Sequence, residues 1–152
     1  MNSEENTGIK LSGQLNIVLK DKNGNIKENR VEKNLIVTAG LTFICSRMLG
    51  ASAGVMSHMG LGSGTAAVAA SQTDLVSLLG SREANDSASA SANTAVYVSS
   101  FEAGDATGAV TEAGIFNAAS SGTMLCRTVF PVVNKQSDDT MSVTWTITLT
   151  AS

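Results

Sequence analysis

The clearest pattern along the chain is the strict alternation of hydrophobic and polar positions from Met141 to Leu149. Apolar side chains hold the odd positions and serine or threonine the even ones, which predicts a strand with one buried face. Earlier in the chain, Ala109–Phe130 holds two apolar runs rich in β-branched residues, separated by the small residues of Ala118–Gly122. This arrangement predicts a β-hairpin. We expect the three segments to share one sheet, with Trp145 near its centre.

A second hairpin is predicted near the N-terminus. Apolar and polar residues alternate over Leu11–Lys20, and the following Asn23-Gly24 pair is strongly favoured in two-residue hairpin turns. The return strand, Ile26–Val31, carries charges on one face, as expected of a solvated edge strand that avoids unwanted pairing. Residues 1–10 are expected to form a flexible arm. Its candidate partner contacts are Met1, Asn2, Ser3, Glu4, Glu5, Asn6 and Thr7.

One segment, Thr38–Gly50, has the spacing of an amphipathic helix. Thr38 is a suitable N-cap, Arg47 places a cation near the C-terminal end of the helix dipole, and Gly50 is a suitable stop. Apolar residues recur at intervals of three and four. The resulting stripe consists of Leu41, Ile44, Cys45, Met48 and Leu49. We expect this stripe to pack against a sheet.

The middle of the chain predicts short elements. Val55–Leu61 has the composition of a short buried strand, and Asp74–Leu79 is long enough for one helical turn. The low-complexity run within Arg82–Ala95 predicts an exposed loop or a weak edge strand. Alternation resumes over Thr94–Phe101 and predicts a further strand.

The remaining strand-ending and turn residues complete the predicted architecture. Pro131 cannot donate to a ladder, so it should end the strand Met124–Phe130, and the polar run Asn134–Asp139 should form the last turn. These patterns give roughly six to eight strands, one helix and no alternation of strands with helices. The fold class is predicted as mainly β: an antiparallel β-sandwich with one amphipathic α-helix packed on it. Residues 11–152 are expected to form a single domain.

Composition favours a subunit of an assembly. Charged residues make up 15% of the 152 residues and hydrophobic residues 43%, so small neutral side chains cover much of the surface. The net charge of −3 argues against a nucleic-acid binder, and no apolar run is long enough to cross a membrane. We expect Cys45 and Cys126 to be buried small hydrophobes. Their spacing matches no zinc site, and no secretory signal is evident, as expected for the cytoplasm.

Several residues that suggest chemistry have simpler interpretations. Gly60, Gly62 and Gly64 lack the Lys-Ser/Thr pair of a phosphate-binding loop, so a tight turn with close backbone packing is preferred. His58 lies between methionines, which favours a packed or rim histidine over a catalytic base. Asp138-Asp139 lacks the additional oxygen ligands of a calcium site and is interpreted as a solvated turn. We therefore expect no enzyme activity, cofactor or metal.

Glu112 is the most informative polar residue. Its predicted strand is otherwise apolar or small, and a buried carboxylate without a partner would be costly. We predict a polar pair with Arg127 across the hairpin or with Arg82 from a neighbouring strand, together with backbone amides. The alternative is that Glu112 faces water.

Five short segments, spread over residues 34–149, resemble one class of proteins when they are taken together. They are Asn34–Leu41 (NLIVTAGL), Ser57–Thr65 (SHMGLGSGT), Thr111–Ala118 (TEAGIFNA), Gly122–Arg127 (GTMLCR) and Thr144–Ile147 (TWTI). The set is similar to small virion structural proteins of tailed bacteriophages. The third and fourth segments are the most specific, whereas the N-terminal hairpin and the Ala/Ser run near residue 88 match less clearly.

The resemblance implies a structural role in the phage particle and carries no active-site motif. We expect a capsid decoration (cement) protein that binds and stabilises the head shell as a symmetric homo-oligomer. Its partners would be the major capsid protein or other virion proteins, and its location the virion, after assembly in the host cytoplasm. The alternative is a tail, baseplate or fibre-associated docking protein. A carbohydrate-binding module on the virion surface is disfavoured because the chain has few aromatic residues.

Overall fold

The computed structural model describes residues 8–51 and 53–152, which form ten β-strands and one α-helix. The strands are β1 (Ile9–Lys20), β2 (Ile26–Lys33), β3 (Leu35–Ile36), β4 (His58–Gly62), β5 (Glu83–Ala84), β6 (Ser87–Ser91), β7 (Thr94–Phe101), β8 (Gly108–Phe116), β9 (Met124–Lys135) and β10 (Thr140–Ala151), and the helix is α1 (Thr38–Arg47). The Met1–Thr7 part of the predicted arm lies outside the described residues. Since β1 begins at Ile9, residues 9 and 10 belong to a strand and not to the arm.

The strands form two antiparallel sheets, which confirms the predicted β-sandwich with one helix. The first sheet has the order β2-β1-β10-β7-β6. Its central pair, β1 and β10, is in register from Ile9 opposite Ala151 to Lys20 opposite Thr140. The predicted N-terminal hairpin is confirmed, and Gly24 adopts the positive φ of +82° that its turn requires.

The second sheet has the order β3-β9-β8-β4-β5 and contains the predicted hairpin of β8 and β9. The expectation that this hairpin shares a sheet with the Met141–Leu149 strand is wrong, because β10 pairs with β1 and β7 in the first sheet. Alternation identifies the buried face of a strand but not its neighbours. Trp145 is fully buried at the interface of the two sheets, and its Nε1 donates a hydrogen bond to Asn34 Oδ1 at 3.1 Å.

The helix α1 differs from its prediction at both ends. Val37 holds the N-cap position without a side-chain hydrogen bond, so Thr38 begins the helix and does not cap it. The helix ends at Arg47, three residues before Gly50. The Arg47 guanidinium donates hydrogen bonds to the carbonyl oxygens of Ala51 and Ala53. These two hydrogen bonds hold the segment that follows the helix against its C-terminal end.

The predicted packing face of α1 is wrong except at Ile44. Phe43 and Ile44 contact the sandwich core, and Gly40 lies directly against the backbone of Leu125. This close approach, possible only without a Cβ, fixes the rotation of the helix. The rest of the predicted stripe points outward, and it consists of Leu41, Cys45, Met48 and Leu49. Cys45 is therefore exposed, whereas Cys126 is buried as expected.

A loop of residues 63–80, here called the covering loop, lies on the outer face of the second sheet. Leu75 and Leu78 of this loop face Gly60, and the Leu78 backbone forms an isolated bridge with Gly62 of β4. The predicted helical turn at Asp74–Leu79 is absent there, because Val76 and Ser77 direct their amides to a side chain. The predicted strand Val55–Leu61 begins only at His58.

Two further expectations fail near the end of β9. The strand continues through Pro131 to Lys135, because Pro131 lies at a register shift where the ladder needs no donor from it. The turn that follows is not fully solvated, since Asp139 is buried and its Oδ2 accepts hydrogen bonds from Lys27 Nζ at 2.7 Å and from the Gln136 amide at 2.8 Å. The weak edge strand expected within Arg82–Ala95 is confirmed as β6.

Candidate functional site

A buried ion pair links β8 and β9 on the outer face of the second sheet. Glu112 and Arg127 both have 0% exposed side chains. Glu112 Oε2 lies 2.8 Å from Arg127 Nε and 2.7 Å from Arg127 Nη2. The register places Arg127 opposite Gly114, so the pair runs diagonally across the two strands.

The Glu112 carboxylate also holds the covering loop. It accepts hydrogen bonds from the amides of Gly64, Val76 and Ser77 at 3.0, 3.1 and 2.7 Å. Burial alone would raise the pKa of Glu112, but the hydrogen bonds from these amides and from Arg127 hold it below its ordinary value. The carboxylate is therefore ionised at neutral pH and connects both ends of the loop to the sheet.

Arg127 extends the same connection to the middle of the covering loop. Its Nη1 donates hydrogen bonds to the Ala66 carbonyl oxygen at 3.0 Å and to Gln72 Oε1 at 3.1 Å. The Ala70 carbonyl accepts a hydrogen bond from the amide of Thr38 at the start of α1. The ion pair, the covering loop and the helix therefore form one connected layer over the second sheet.

Glycines allow this close approach. A Cβ at Gly64 would lie 2.5 Å from Glu112 Oε1, and one at Gly62 would contact the same oxygen. The predicted close backbone packing is thus present, although Gly60 and Gly62 lie within β4 and not in a tight turn.

Arg82, the alternative partner predicted for Glu112, contacts a different part of the structure. Its Nη1 donates hydrogen bonds to the carbonyl oxygens of Ala118 and Ser121 at 2.9 and 2.8 Å, and its Nη2 lies 3.2 Å from Asp74 Oδ1. Its guanidinium carbon lies 3.4 Å from the centroid of the Phe116 ring. Arg82 therefore fixes the turn between β8 and β9 through carbonyl and cation–π contacts.

Lys135 is a buried polar residue that the sequence pattern did not indicate. It is almost fully buried, and its Nζ donates a hydrogen bond to the Glu102 carbonyl oxygen at 2.8 Å. Burial lowers the pKa of Lys135, partly offset by Asp105, Asp139 and Glu102. The predicted end of the strand at Phe130 concealed its position, because a lysine in a polar turn is normally exposed.

The other residues considered for chemistry do not form a common site among the described residues. His58 is half-buried at the start of β4, with Nδ1 2.8 Å from Ser57 Oγ. Within residues 8–51 and 53–152, no group of three or more His, Cys, Asp or Glu side chains is placed to hold a metal ion. No helix in this part of the chain is long and apolar enough to span a membrane.

The exposed side of α1, together with the two residues that follow the helix, is the surface that the sequence prediction missed. Leu41 is 48% exposed, Met48 78% and Leu49 90%. The spacing of the stripe predicted an apolar face correctly, but it could not show that the contacts of Gly40 and Phe43 turn most of that face outward and leave only Ile44 of it against the core.

Comparison of the chain with protein-family models, with curated proteins and with solved structures finds no match.

Proposed function

We propose that this protein is a virion structural protein of a tailed bacteriophage, and specifically a capsid decoration protein that binds and stabilises the head shell. Four of the five segments similar to such proteins are neighbours in the fold. Asn34–Leu41 contains β3 and the start of α1, Ser57–Thr65 contains β4, and the other two form the hairpin of β8 and β9. Glu112 and Arg127 belong to this set, so these four segments share the second sheet and its buried ion pair.

The observation that carries the proposal is an apolar stripe, on α1 and the two residues that follow it, which the described residues leave exposed. Its exposed members are Leu41, Cys45, Met48 and Leu49. Between residues 34 and 81, only Arg47 and Asp74 are charged, and both contact groups of this chain. Exposed apolar patches with few charges are typical of protein–protein contacts. The partner would be the major capsid protein or another virion protein.

A shell presents the same docking surface many times. Contacts that are modest for one copy therefore add up when copies also touch one another. Such a role requires a stable, rigid surface and no reaction chemistry, which fits a layer held by a buried ion pair.

The copy number in purified particles tests the proposal. We expect the protein in hundreds of copies, as quantified by mass spectrometry against the major capsid protein. Absence from particles contradicts a virion role, and a few dozen copies or fewer contradict the shell and indicate the tail.

A paired variant tests the stripe itself. Met48→Glu/Leu49→Glu should lower the free energy of unfolding by no more than about 1 kcal/mol, because both side chains are exposed and only the helix dipole opposes the added carboxylates. The same variant should strongly reduce binding to empty head shells. The matched control is Ile26→Glu/Val31→Glu, which adds the same charges at exposed apolar positions of β2. Equal shell binding by the two variants contradicts docking through α1.

A further inference from the structure

The edges of the two sheets are not equally protected. The edge strand β2 is rich in charged residues, and β3 and β5 are only two residues long. β6 is the fourth edge, with five exposed and uncharged residues that pair only with β7 among the described residues. Edge strands keep unpaired N–H and C=O groups, and charges or short length normally protect them from pairing. β6 has neither protection.

The sequence of β6, Ser-Ala-Ser-Ala-Ser, reads the same in both directions. An antiparallel pair of β6 strands centred on Ser89 would place Ser87 opposite Ser91 and Ala88 opposite Ala90. Like side chains would then meet on both faces, with serines outside and alanines on the side that faces the core. The neighbouring Asp86 would lie opposite Ala92, so no two carboxylates would meet.

The core-facing side of β6 borders two open apolar hollows. One, of ≈ 270 Å³, lies between Val55, Met56 and the alanines of β6, with Tyr97 on its wall. The other, of ≈ 370 Å³, runs past Ala90 to Leu149. β5, the edge strand of the opposite sheet, is only two residues long and lines neither hollow.

We propose that β6 is a dimerisation edge of this protein. Two copies pair their β6 strands antiparallel about Ser89, so that the first sheets of both copies join into one continuous sheet across a twofold axis. The pairing satisfies the free backbone groups of β6, and each copy covers the apolar hollows of the other. A second copy fits this edge because it supplies a strand of the same neutral composition. The inference does not rest on the proposed function.

Sedimentation equilibrium of the full chain over a range of concentrations tests the pairing. We expect a reversible monomer–dimer equilibrium. Ser89→Lys places two ammonium groups next to each other at the twofold axis and should raise the dimer Kd at least about tenfold. Asn29→Lys adds the same charge at the opposite edge of the same sheet and should leave the Kd unchanged. A chain that stays monomeric, a trimer, or equal Kd values for the two variants overturns the proposal.

A disulfide trap gives an independent readout. Opposed residues in an antiparallel pair have Cα atoms about 4.5–5.5 Å apart, a distance that a disulfide can span. In a Cys45→Ser background, which removes the exposed native thiol, Ser89→Cys should form a covalent dimer under mild oxidation. Asn29→Cys in the same background should stay monomeric. Equal cross-linking of the two variants overturns the assignment of the edge.

Discussion

At the scale of single residues, the Glu112 carboxylate is held by four donor groups in a place that water does not reach. Three are amides of the covering loop and the fourth is the guanidinium of Arg127. Removing one member of such a pair leaves the other charged and unpaired, which costs more than the pair itself contributes. The pair therefore matters chiefly as the attachment of the loop.

The first prediction concerns the loss of that charge. Glu112→Gln should lower the free energy of unfolding by about 3 kcal/mol, because the buried guanidinium of Arg127 loses its counterion. Urea unfolding followed by circular dichroism measures the change. Glu32→Gln on β2 is the matched control and should shift the value by less than about 0.5 kcal/mol. Equal stabilities of the two variants would show that the pair does not hold the loop.

The second prediction concerns pH. The pKa of Glu112 lies below its ordinary value of 4.5, so its ionised form stabilises the fold above about pH 4.5, and that stabilisation is lost as the pH falls through the lower folded-state value. The stability difference between the native chain and Glu112→Gln should be constant from about pH 8 to 6 and should narrow below about pH 4.5.

The comparison of the native chain with Glu112→Gln isolates the contribution of Glu112 to the pH dependence of stability. Asp21 and Asp139 also have lowered pKa values, but both chains contain them, so their contributions cancel. A difference that persists unchanged to about pH 3 would contradict the assignment.

The sequence was sufficient to predict a polar pair at Glu112, because a carboxylate in an apolar strand needs a partner. It could not choose between Arg127 and Arg82, since that choice depends on the strand register and on where the covering loop places Arg82. Lys135 was missed, and Asp139 was wrongly assigned to a solvated turn, because polar residues near a turn are usually solvated.

At the scale of elements, the covering loop depends on the absence of side chains beneath it. Gly62 and Gly64 leave room for the carboxylate, and Leu75 packs against Gly60 and Gly114. Glycine patterns indicate close packing but not the element that approaches, so the loop itself was not predicted.

The third prediction tests this fit. Gly64→Ala should lower the free energy of unfolding by about 1–3 kcal/mol, because its Cβ would overlap Glu112 Oε1. Amide hydrogen exchange should become faster across residues 63–80. Gly54→Ala is the control, since its Cβ would meet only the Asn117 carbonyl at an ordinary 3.7 Å. Unchanged exchange in Gly64→Ala would mean that the loop is held by other contacts.

The helix shows a related limit of sequence patterns. Its apolar residues cover two faces, and spacing alone cannot decide which face is buried. The decision comes from the contact of Gly40 with the Leu125 backbone, which joins residues far apart in sequence.

At the scale of the whole molecule, alternation and turn residues were sufficient to predict the antiparallel sandwich. The distribution of strands between sheets was not predictable, because β10 lies between β1 and β7, both distant in sequence. Charge is also unevenly distributed: the hairpin of β1 and β2, residues 9–33, contains nine charged residues, whereas residues 34–81 contain two.

The fourth prediction follows from this distribution. If the protein docks on the shell through α1, its Kd for empty head shells should change less than about threefold between about 50 and 500 mM salt, because screening weakens only charged contacts. Titration of the native chain onto shells at the two salt concentrations measures this. A loss of binding at high salt would instead indicate the charged hairpin of β1 and β2.

Trp145 has a practical consequence for all of these experiments. It is the only tryptophan in the chain, and its indole lies between the two sheets, out of contact with water. Its fluorescence emission is therefore an intrinsic optical probe of the interior, and it should shift to longer wavelength only when the sheets separate. A surface variant that loses an interaction while keeping the native emission spectrum has lost a contact and not its fold.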